Sequence, residues 1–297
     1  MFEQELISVE RVRQYFSNKQ EKLNDHIQKD KILNDYDTPV QQNNYSIVFN
    51  NVSITYEQTN QQKALNLKYA LQDFSLKIKK GEKIAICGRT GSGKTSILNC
   101  LFRLYDYQQG SIFIKNQNIL NMSLKQLRSK ISAIPQFGFL FNSSLRNNID
   151  PLQEKSNQQI QDFISYVYKQ PNQQQKNEYF DNLNLEIQDG GKNLSNGQKQ
   201  IINFLRAVLR DSEIICLDEA TSNMDPSTDN LIHTKLFEIC EEKFLLVITH
   251  RLEYIEKYDR IIVLNQGRIV VSGNYKELVN IKGAFFNKLI QQEFSHQ

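Results

Sequence analysis

The eight residues from Gly88 to Thr95 have the composition of a loop that wraps around phosphate. They match the pattern Gly-x-x-x-x-Gly-Lys-Ser/Thr, with Gly88, Gly93, Lys94 and Thr95 in the fixed places. Glycines let backbone N–H groups curl around phosphate oxygens, and the start of the following helix adds positive potential. Lys94 can reach the outer phosphates, and the Thr95 hydroxyl can bind magnesium. The pattern therefore predicts a nucleotide phosphate site rather than a chance glycine turn.

An acidic pair supplies the second chemical feature. Asp218 and Glu219 follow the apolar run at residues 214–217, so a buried strand delivers two carboxylates to its carboxyl end, where ligands bind in open α/β sheets. On its own, an Asp-Glu pair at a strand end is more often a solvated turn. Together with the phosphate loop, the pair predicts a magnesium ligand at Asp218 and a water-binding carboxylate at Glu219.

Two kinds of apolar pattern predict the strands that hold these residues. Nearly continuous apolar runs, typical of strands buried on both faces, predict a parallel sheet with crossover helices. These runs span residues 83–87, 214–217, 244–248 and 260–264. Alternating apolar and polar residues over 47–56 and 71–78 predict antiparallel strands. The expected fold class is α/β, a mixed sheet of the P-loop NTPase type with a parallel core and an antiparallel β subdomain.

Helical spacing and composition divide the rest of the chain. Apolar residues at spacings of three and four predict an amphipathic helix over residues 1–16, and the polar residues 17–45 predict a linker. Residues 46–290 form the expected folded domain, followed by a tail at 291–297. Residues of about 138–210 lack strong strand patterns and predict an inserted α-helical subdomain.

Composition excludes several classes of protein. Thirty-six basic and 33 acidic residues leave a formal charge of +3, too small to indicate nucleic-acid binding or a membrane-surface patch. No apolar run approaches the roughly 18 residues of a membrane span, and the acidic start lacks the features of a secretory signal. We therefore expect a cytosolic chain whose four cysteines, which form no CxxC pair, are reduced and buried.

Further motifs make the chain similar to one family. The segments Leu194–Gln198, Asp218–Asp225 and Thr249–Arg251 follow in the order of the signature, the Walker B motif with its D-loop, and the switch histidine of ATP-binding cassette (ABC) proteins. Gln136 resembles the Q-loop glutamine of that family. Tyr56 resembles the aromatic residue that stacks on adenine.

Four segments resemble the second nucleotide-binding domain of the C subfamily, the multidrug-resistance-associated exporters. They are Ser8–Val12, Gly88–Gly91, Leu145–Pro151 and Gly190–Ser195. The resemblance covers nearly the whole chain, including the N-terminal helix that in that family follows the last membrane span. It implies an ATPase module on the cytoplasmic face of a membrane, working with transmembrane domains that this chain lacks.

The resemblance also implies a role for each matching residue. Glu219 would polarise the attacking water, and His250 would hold the γ-phosphate and sense its loss. Thr95, Gln136 and Asp218 would bind Mg²⁺. The residues implied to contact ATP are Tyr56, Gly88, Arg89, Thr90, Gly91, Ser92, Gly93, Lys94, Thr95 and Ser96.

The signature residues are implied to act on ATP held by a second domain. Ser195, Asn196, Gly197 and Gln198 would close the γ-phosphate side of a partner cassette, with Asp225 in the adjoining D-loop. The partner would be a second copy or a different domain. Hydrolysis would then separate the pair, and the Q-loop region would pass that movement to the membrane helices.

Several points differ from the family pattern or have an alternative. Asn196 replaces the first glycine of the usual signature, and Tyr69 is an alternative to Tyr56 as the adenine-stacking residue because the segment between them is long. Two other functions are a soluble ABC protein that remodels macromolecules and a regulatory cassette with little ATP turnover. The first usually carries two cassettes or long coiled coils, and the intact Glu219 argues against the second.

Overall fold

The computed structural model of the protein describes residues 45–56, 68–168, 178–220, 224–249, 251, 253–281 and 286. The helix predicted at residues 1–16, the linker as far as residue 44, the tail after residue 290 and His250 lie outside these ranges. The strands are β1 (Tyr45–Ile54), β2 (Leu71–Lys79), β3 (Lys83–Gly88), β4 (Gln109–Ile114), β5 (Gln117–Asn118), β6 (Ile131–Ile134), β7 (Ser143–Ser144), β8 (Glu186–Ile187), β9 (Ile214–Asp218), β10 (Phe244–Ile248), β11 (Arg260–Asn265) and β12 (Arg268–Gly273).

The helices alternate with these strands. They are α1 (Lys94–Leu101), α2 (Leu124–Ser129), α3 (Leu145–Ile149), α4 (Asn157–Tyr168), α5 (Glu178–Asp181), α6 (Asn196–Leu209), α7 (Pro226–Ile239) and α8 (Tyr275–Asn280). Within the described ranges, none of them combines the length and the apolar character that crossing a bilayer would need.

The central sheet has the strand order β12-β11-β3-β10-β9-β6. The strands predicted from continuous apolar runs, β3, β9, β10 and β11, lie parallel to one another in this sheet, so that prediction is confirmed. β6 continues the parallel pairing beside β9, and β12 is antiparallel to β11. The crossover connections bring the carboxyl ends of five strands to one edge.

Two separate hydrophobic cores explain why the parallel strands are apolar on both faces. In β10, Leu245 and Val247 enter the core that also contains residues of α6 and α7. Leu246 and Ile248 point the other way, into the core shared with α1 and the antiparallel sheet. Because successive side chains of a strand face opposite sides, a strand between two cores needs an apolar residue at every position.

The second sheet has the order β2-β1-β4-β5, and all of its neighbours are antiparallel. The alternation predicted for β1 and β2 is confirmed by their register, in which Phe49 pairs with Leu76. This sheet covers α1 and one face of the parallel sheet. The observed architecture is therefore the mixed α/β fold that the sequence predicts.

The segment between β6 and β9 contains α3 to α6 and the two-residue pair β7–β8. In α4, Ile160, Ile164 and Val167 are buried, as their helical spacing predicts. They pack with Phe180 and Phe204 in the core that reaches the parallel sheet. All four cysteines are buried and unbridged, as expected for reduced thiols.

Candidate functional site

The site lies where four neighbouring parallel strands end. Ile248 at the end of β10 pairs with Ile86 of β3 on one side and with Asp218 of β9 on the other. β6 ends next to β9, with Ile134 opposite Leu217. The loops that follow β3, β6, β9 and β10 therefore leave the sheet side by side. These loops carry the residues that the motifs single out.

The phosphate loop follows β3 and turns directly into α1. Gly88, Gly91 and Gly93 have φ values of +152°, +77° and +103°, which L-residues with a side chain rarely adopt. A Cβ on Gly93 would lie 2.2 Å from the carbonyl oxygen of Ala70, and one on Gly88 would lie 2.4 Å from that of Leu264. Two of these glycines are thus required by close contact as well as by backbone conformation.

Helix α1 has Gly93 as its N-cap residue and therefore no side-chain cap. The first turn of a helix leaves backbone N–H groups without intrahelical partners. At the other long helices that follow site loops, side chains take this role, since Ser195 caps α6 and Asp225 caps α7. The uncapped start of α1, after a loop of left-handed glycines, can therefore bind an anion.

The Lys94 side chain folds back onto the start of the phosphate loop. Its side chain is 5% exposed, and Nζ donates to the carbonyl oxygens of Gly88 at 2.9 Å and Arg89 at 3.3 Å. Glu219 Oε1 lies 3.6 Å from the same nitrogen. Burial lowers the pKa of Lys94, and the neighbouring Glu219 carboxylate opposes that shift. The ammonium group is held at the centre of the loop.

Thr95 and Asp218 meet across the edge between α1 and β9. Thr95 Oγ1 donates to Asp218 Oδ1 over 3.3 Å. Burial raises the pKa of the Asp218 carboxyl, and the hydrogen bond from Thr95 opposes this shift. A hydroxyl and a partly buried carboxylate are ligands that Mg²⁺ prefers.

Glu219 is positioned by its backbone. It has φ +49°, and its N–H donates to the Ile248 carbonyl oxygen at 2.9 Å. Gln136, after β6, donates from Nε2 to Glu219 Oε2 over 3.4 Å. The two predicted residues that follow β6 and β9 therefore meet at the site, with the Glu219 carboxylate between Gln136 and Lys94.

A cavity of about 510 Å³ lies over these groups. The residues that line it are Tyr56, Lys68, Tyr69, Ala70, Thr90, Gly91, Gly93, Lys94, Thr95, Ser96, Gln136, Asp218 and Glu219. This lining includes most of the predicted ATP contacts, but not Gly88 and Ser92, which are buried, or Arg89, which is exposed. Lys68 lines the cavity without having been predicted, because it belongs to no motif.

Both candidate adenine-stacking residues, Tyr56 and Tyr69, line the cavity. The Tyr56 hydroxyl lies 2.9 Å from Ser96 Oγ and accepts a hydrogen bond from Asn99 Nδ2, also at 2.9 Å. Its ring meets Tyr105 edge to face, with 4.8 Å between centroids. Tyr56 is therefore tied to α1 while remaining 45% exposed.

The signature residues lie at the start of α6, away from this cavity. Ser195 Oγ accepts from Gln198 N at 3.2 Å, and Gln198 Oε1 accepts from Ser195 N at 2.9 Å, which is a capping box. Asn196 is exposed. A Cβ on Gly197 would lie 3.4 Å from Asp225 Oδ1, so the signature packs directly against the D-loop aspartate.

One residue missed by motif analysis joins α6 to the Q-loop. Gln200, 8% exposed, donates from Nε2 to the carbonyl oxygens of Pro135 and Gln136, at 3.3 and 2.6 Å. Gly138 in the same loop packs so closely on Asn203 that a Cβ would lie 1.7 Å from its Nδ2. The signature helix and the loop that carries Gln136 are therefore in direct contact.

A phosphate loop entering an uncapped helix beside an acidic strand end defines a P-loop nucleotide-binding protein. Residues 71–222 match the family model described as ABC transporter. The chain belongs to the ABC transporter family and contains its ATPase domain, which confirms the resemblance found in the sequence.

Several relatives share this domain. An ATP-dependent lipid A-core flippase of Methylobacillus flagellatus is 37% identical over 84% of this chain and 41% of its own length. ATP-binding cassette sub-family C member 2 of Rattus norvegicus is 36% identical over 81% of this chain and 15% of its own length. ABC transporter C family member 5 of Dictyostelium discoideum is 34% identical over 98% of this chain and 19% of its own length.

A solved structure has the same fold. A bacterial Atm1-family ABC exporter with ATP bound superposes with a TM-score of 0.72 and 26% identity, over 84% of this chain and 42% of that chain. The chain thus spans less than half the length of each of these relatives.

Proposed function

We propose that this chain binds and hydrolyses ATP as a nucleotide-binding domain of an ABC exporter, at the cytoplasmic face of a membrane. The observation that carries the proposal is the meeting of Lys94, Glu219 and Gln136 beneath one cavity, with Thr95 and Asp218 beside them. Cation, hydroxyl, carboxylate and amide are the groups that phosphoryl transfer to water requires.

In this proposal, the groups around the cavity act on ATP in separate ways. The loop N–H groups and Lys94 bind the phosphates and neutralise charge that develops in the transition state. Glu219 accepts a hydrogen bond from the attacking water and orients it in line with the γ-phosphate. Gln136 and Lys94 hold the Glu219 carboxylate in place. His250 contacts the γ-phosphate.

Thr95, Asp218 and Gln136 fit a magnesium site. Their side chains offer hydroxyl, carboxylate and amide oxygens, and the partly buried Asp218 would gain a counter-charge from a cation. Among the described residues, no group of three or more His, Cys, Asp and Glu side chains is placed to hold a metal. Mg²⁺ in nucleotide sites needs few carboxylates, because phosphates and waters supply the other ligands. Bound there, the ion would neutralise phosphate charge.

A second cassette completes the site. Ser195, Asn196 and Gly197 present the start of α6 outside the cavity, where it can face ATP in a partner domain. Asp225 lies against Gly197 and belongs to the same surface. The partner is a second copy of this chain or an unlike cassette.

The membrane domains of the exporter would contact the exposed aromatic residues after the Q-loop. Phe137, Phe139 and Phe141 are 77%, 63% and 45% exposed. Arg206 of α6 donates to the Phe139 carbonyl and lies over the Phe141 ring, at 5.5 Å from its centroid. A movement of this surface would therefore reach both Gln136 and the signature helix.

The test is ATP hydrolysis by the full 297-residue chain. Glu219→Gln should retain ATP binding and lose at least about 100-fold in rate, since it removes the group that orients water. Glu241→Gln, a change of the same kind at an exposed surface site, is the matched control. Equal, low rates in wild type and Glu219→Gln would favour a regulatory cassette.

Membrane coupling needs a separate experiment. Fractionation of native cells with an antibody to this chain should place it with membranes, either near 34.7 kDa or as part of a longer transporter. Recovery at that mass free in the cytosol would instead support a soluble ABC protein.

A further inference from the structure

A buried ion pair links α7, the helix that follows the D-loop, to Arg251, the residue after His250. Arg251 donates from its guanidinium to Asp229 Oδ2 at 3.0 Å. Asp229 is fully buried, in the first turn of α7, where its N–H donates to the Asp225 carbonyl oxygen. The guanidinium also donates to the Met224 carbonyl oxygen over 3.4 Å, in the D-loop itself.

Thr249 and Arg251 are hydrogen-bonded to each other, and Thr249 is bonded to the neighbouring strand. Arg251 N–H donates to Thr249 Oγ1 at 2.9 Å, and that hydroxyl lies 3.0 Å from the Arg251 carbonyl oxygen. Thr249 N–H in turn donates to the carbonyl oxygen of Ile86 in β3 at 3.2 Å. These bonds connect the ends of β10 and β3 to Arg251, which contacts α7 through Asp229.

The surroundings of Asp229 make Arg251 its main cationic partner. His233 Nε2 lies 3.4 Å from Asp229 Oδ1 without hydrogen-bond geometry. Burial lowers the pKa of His233, so its imidazole favours the neutral form. A fully buried carboxylate needs a compensating charge, and the Arg251 guanidinium supplies it at 3.0 Å from Asp229 Oδ2.

We propose that Arg251 and Asp229 are positioning residues for ATP hydrolysis. Their pair holds the carboxyl end of β10 against α7, through Thr249 and Arg251, the two sequence neighbours of His250. Because Asp225 at the start of α7 packs on Gly197, the same pair connects the end of β10 to the surface proposed to face a partner cassette. This inference rests on the proposed function.

The chain offers a matched control at the opposite edge of the sheet. Arg260 donates to Glu82 Oε2 at 3.0 Å and to the Lys77 carbonyl oxygen at 2.6 Å. Its carboxylate partner is 12% exposed. This pair has the same chemistry as Arg251 and Asp229, including a backbone carbonyl, but lies at the amino ends of the parallel strands.

The experiment compares the double variants D229N/R251Q and E82Q/R260Q in the full chain. Removing both charges avoids leaving one buried and unpaired. D229N/R251Q should lower kcat at least tenfold with less than a threefold change in the Kd of ATP. E82Q/R260Q should keep kcat within twofold of wild type, even if its Tm falls as far as the Tm of D229N/R251Q. If D229N/R251Q fails to fold, Asp229→Glu, which keeps both charges but lengthens the link, is compared with Glu82→Asp in the same way.

The possible results are distinct. A wild-type rate in D229N/R251Q, or equal losses of kcat in the two double variants, would overturn the positioning role while the proposed function stands. A wild-type chain that binds no ATP and hydrolyses none would overturn the proposed function and this inference together.

Discussion

Lys94 Nζ lies 3.6 Å from Glu219 Oε1, so the phosphate-loop lysine and the carboxylate after β9 form a partly buried ion pair. The two residues are 125 positions apart in the chain, and the order of the parallel strands brings them together. The lysine is the cation of the phosphate loop, and the carboxylate is the group proposed to orient water. Burial lowers the pKa of Lys94, and the carboxylate of Glu219 opposes that shift.

Lys94→Met should abolish tight ATP binding. It removes the cation that would contact the outer phosphates, and charge-assisted hydrogen bonds of this kind contribute about 1.5–3 kcal/mol each. We expect at least a tenfold weaker Kd for ATP by titration calorimetry. Lys125→Met on α2, at an exposed lysine, should bind like wild type. Equal affinities for the two variants would contradict the assignment of Lys94.

Tyr56 and Tyr69 can be separated by their effect on the nucleotide base. If Tyr56 stacks on adenine, Tyr56→Ala should weaken ATP binding by about 1–3 kcal/mol, the size of a base–aromatic contact. Tyr56→Phe keeps the ring but loses the contacts of the hydroxyl with Ser96 and Asn99, so it should bind nearly as wild type. A loss of affinity in Tyr69→Ala, with Tyr56→Ala unchanged, would assign the role to Tyr69.

The phosphate-loop glycines should differ in their tolerance of a side chain. Gly91→Ala places a Cβ in open space, so only its φ of +77° is unfavourable, which costs about 1–2 kcal/mol. Gly93→Ala adds a collision with the Ala70 carbonyl oxygen and should cost clearly more. Urea unfolding of the two variants measures this difference. Equal free energies of unfolding would mean that the loop relaxes around the new Cβ.

Asp225 should stabilise the protein through its cap on α7. Asp225→Ala should lower the free energy of unfolding by about 1 kcal/mol, whereas Asp225→Asn should retain most of the cap. The hydrogen bond from Ser227 is the main cause that lowers the Asp225 pKa to about 2.

This pKa lies below the unfolded value of about 3.9. The contribution of the Asp225 charge is therefore present above pH 4 or so and is lost as the pH falls towards 2. Denaturant curves across this range should show a steeper loss in wild type than in Asp225→Asn, and parallel curves would argue against the assignment.

His233 should make stability depend on pH near neutrality. Burial lowers its pKa, with Lys257 and Arg251 acting in the same direction and Asp229 opposing them. The unfolded state then binds the proton more readily, so the free energy of unfolding rises as the pH increases towards about 6.5 and levels off above it. His233→Gln should flatten this part of the curve. An unchanged pH dependence in that variant would show that other groups cause it.

Short-range patterns predicted the centre of the fold well. Continuous apolar runs identified β3, β9, β10 and β11, whose observed ends differ by no more than one residue. β4, β6 and β12 were not predicted, because their apolar runs are short or interrupted; in β12 the residues alternate between exposed and half-buried. Pairing with neighbouring strands of the sheet stabilises such strands, and that information is not local.

Some residues of the candidate site could likewise be predicted from local sequence, and others could not. Lys94, Thr95 and Asp218 could be predicted because each belongs to a contiguous motif with a known chemical use. Gln200 and Asp229 belong to none, since their contacts join residues far apart in the chain. They lie on buried helix faces, where the sequence pattern indicates packing rather than a contact with a loop.

The two cores on either side of β10 also determine how accurately the catalytic groups are placed. A slip of one residue between β10 and its neighbours would exchange every side chain between cores of different shape, so the register is strongly fixed. One residue along a strand is about 3.3 Å, more than a hydrogen bond tolerates. Mutations that repack either core could therefore impair ATP hydrolysis without touching a residue near the nucleotide, and loops at the opposite edge should accept insertions far more readily.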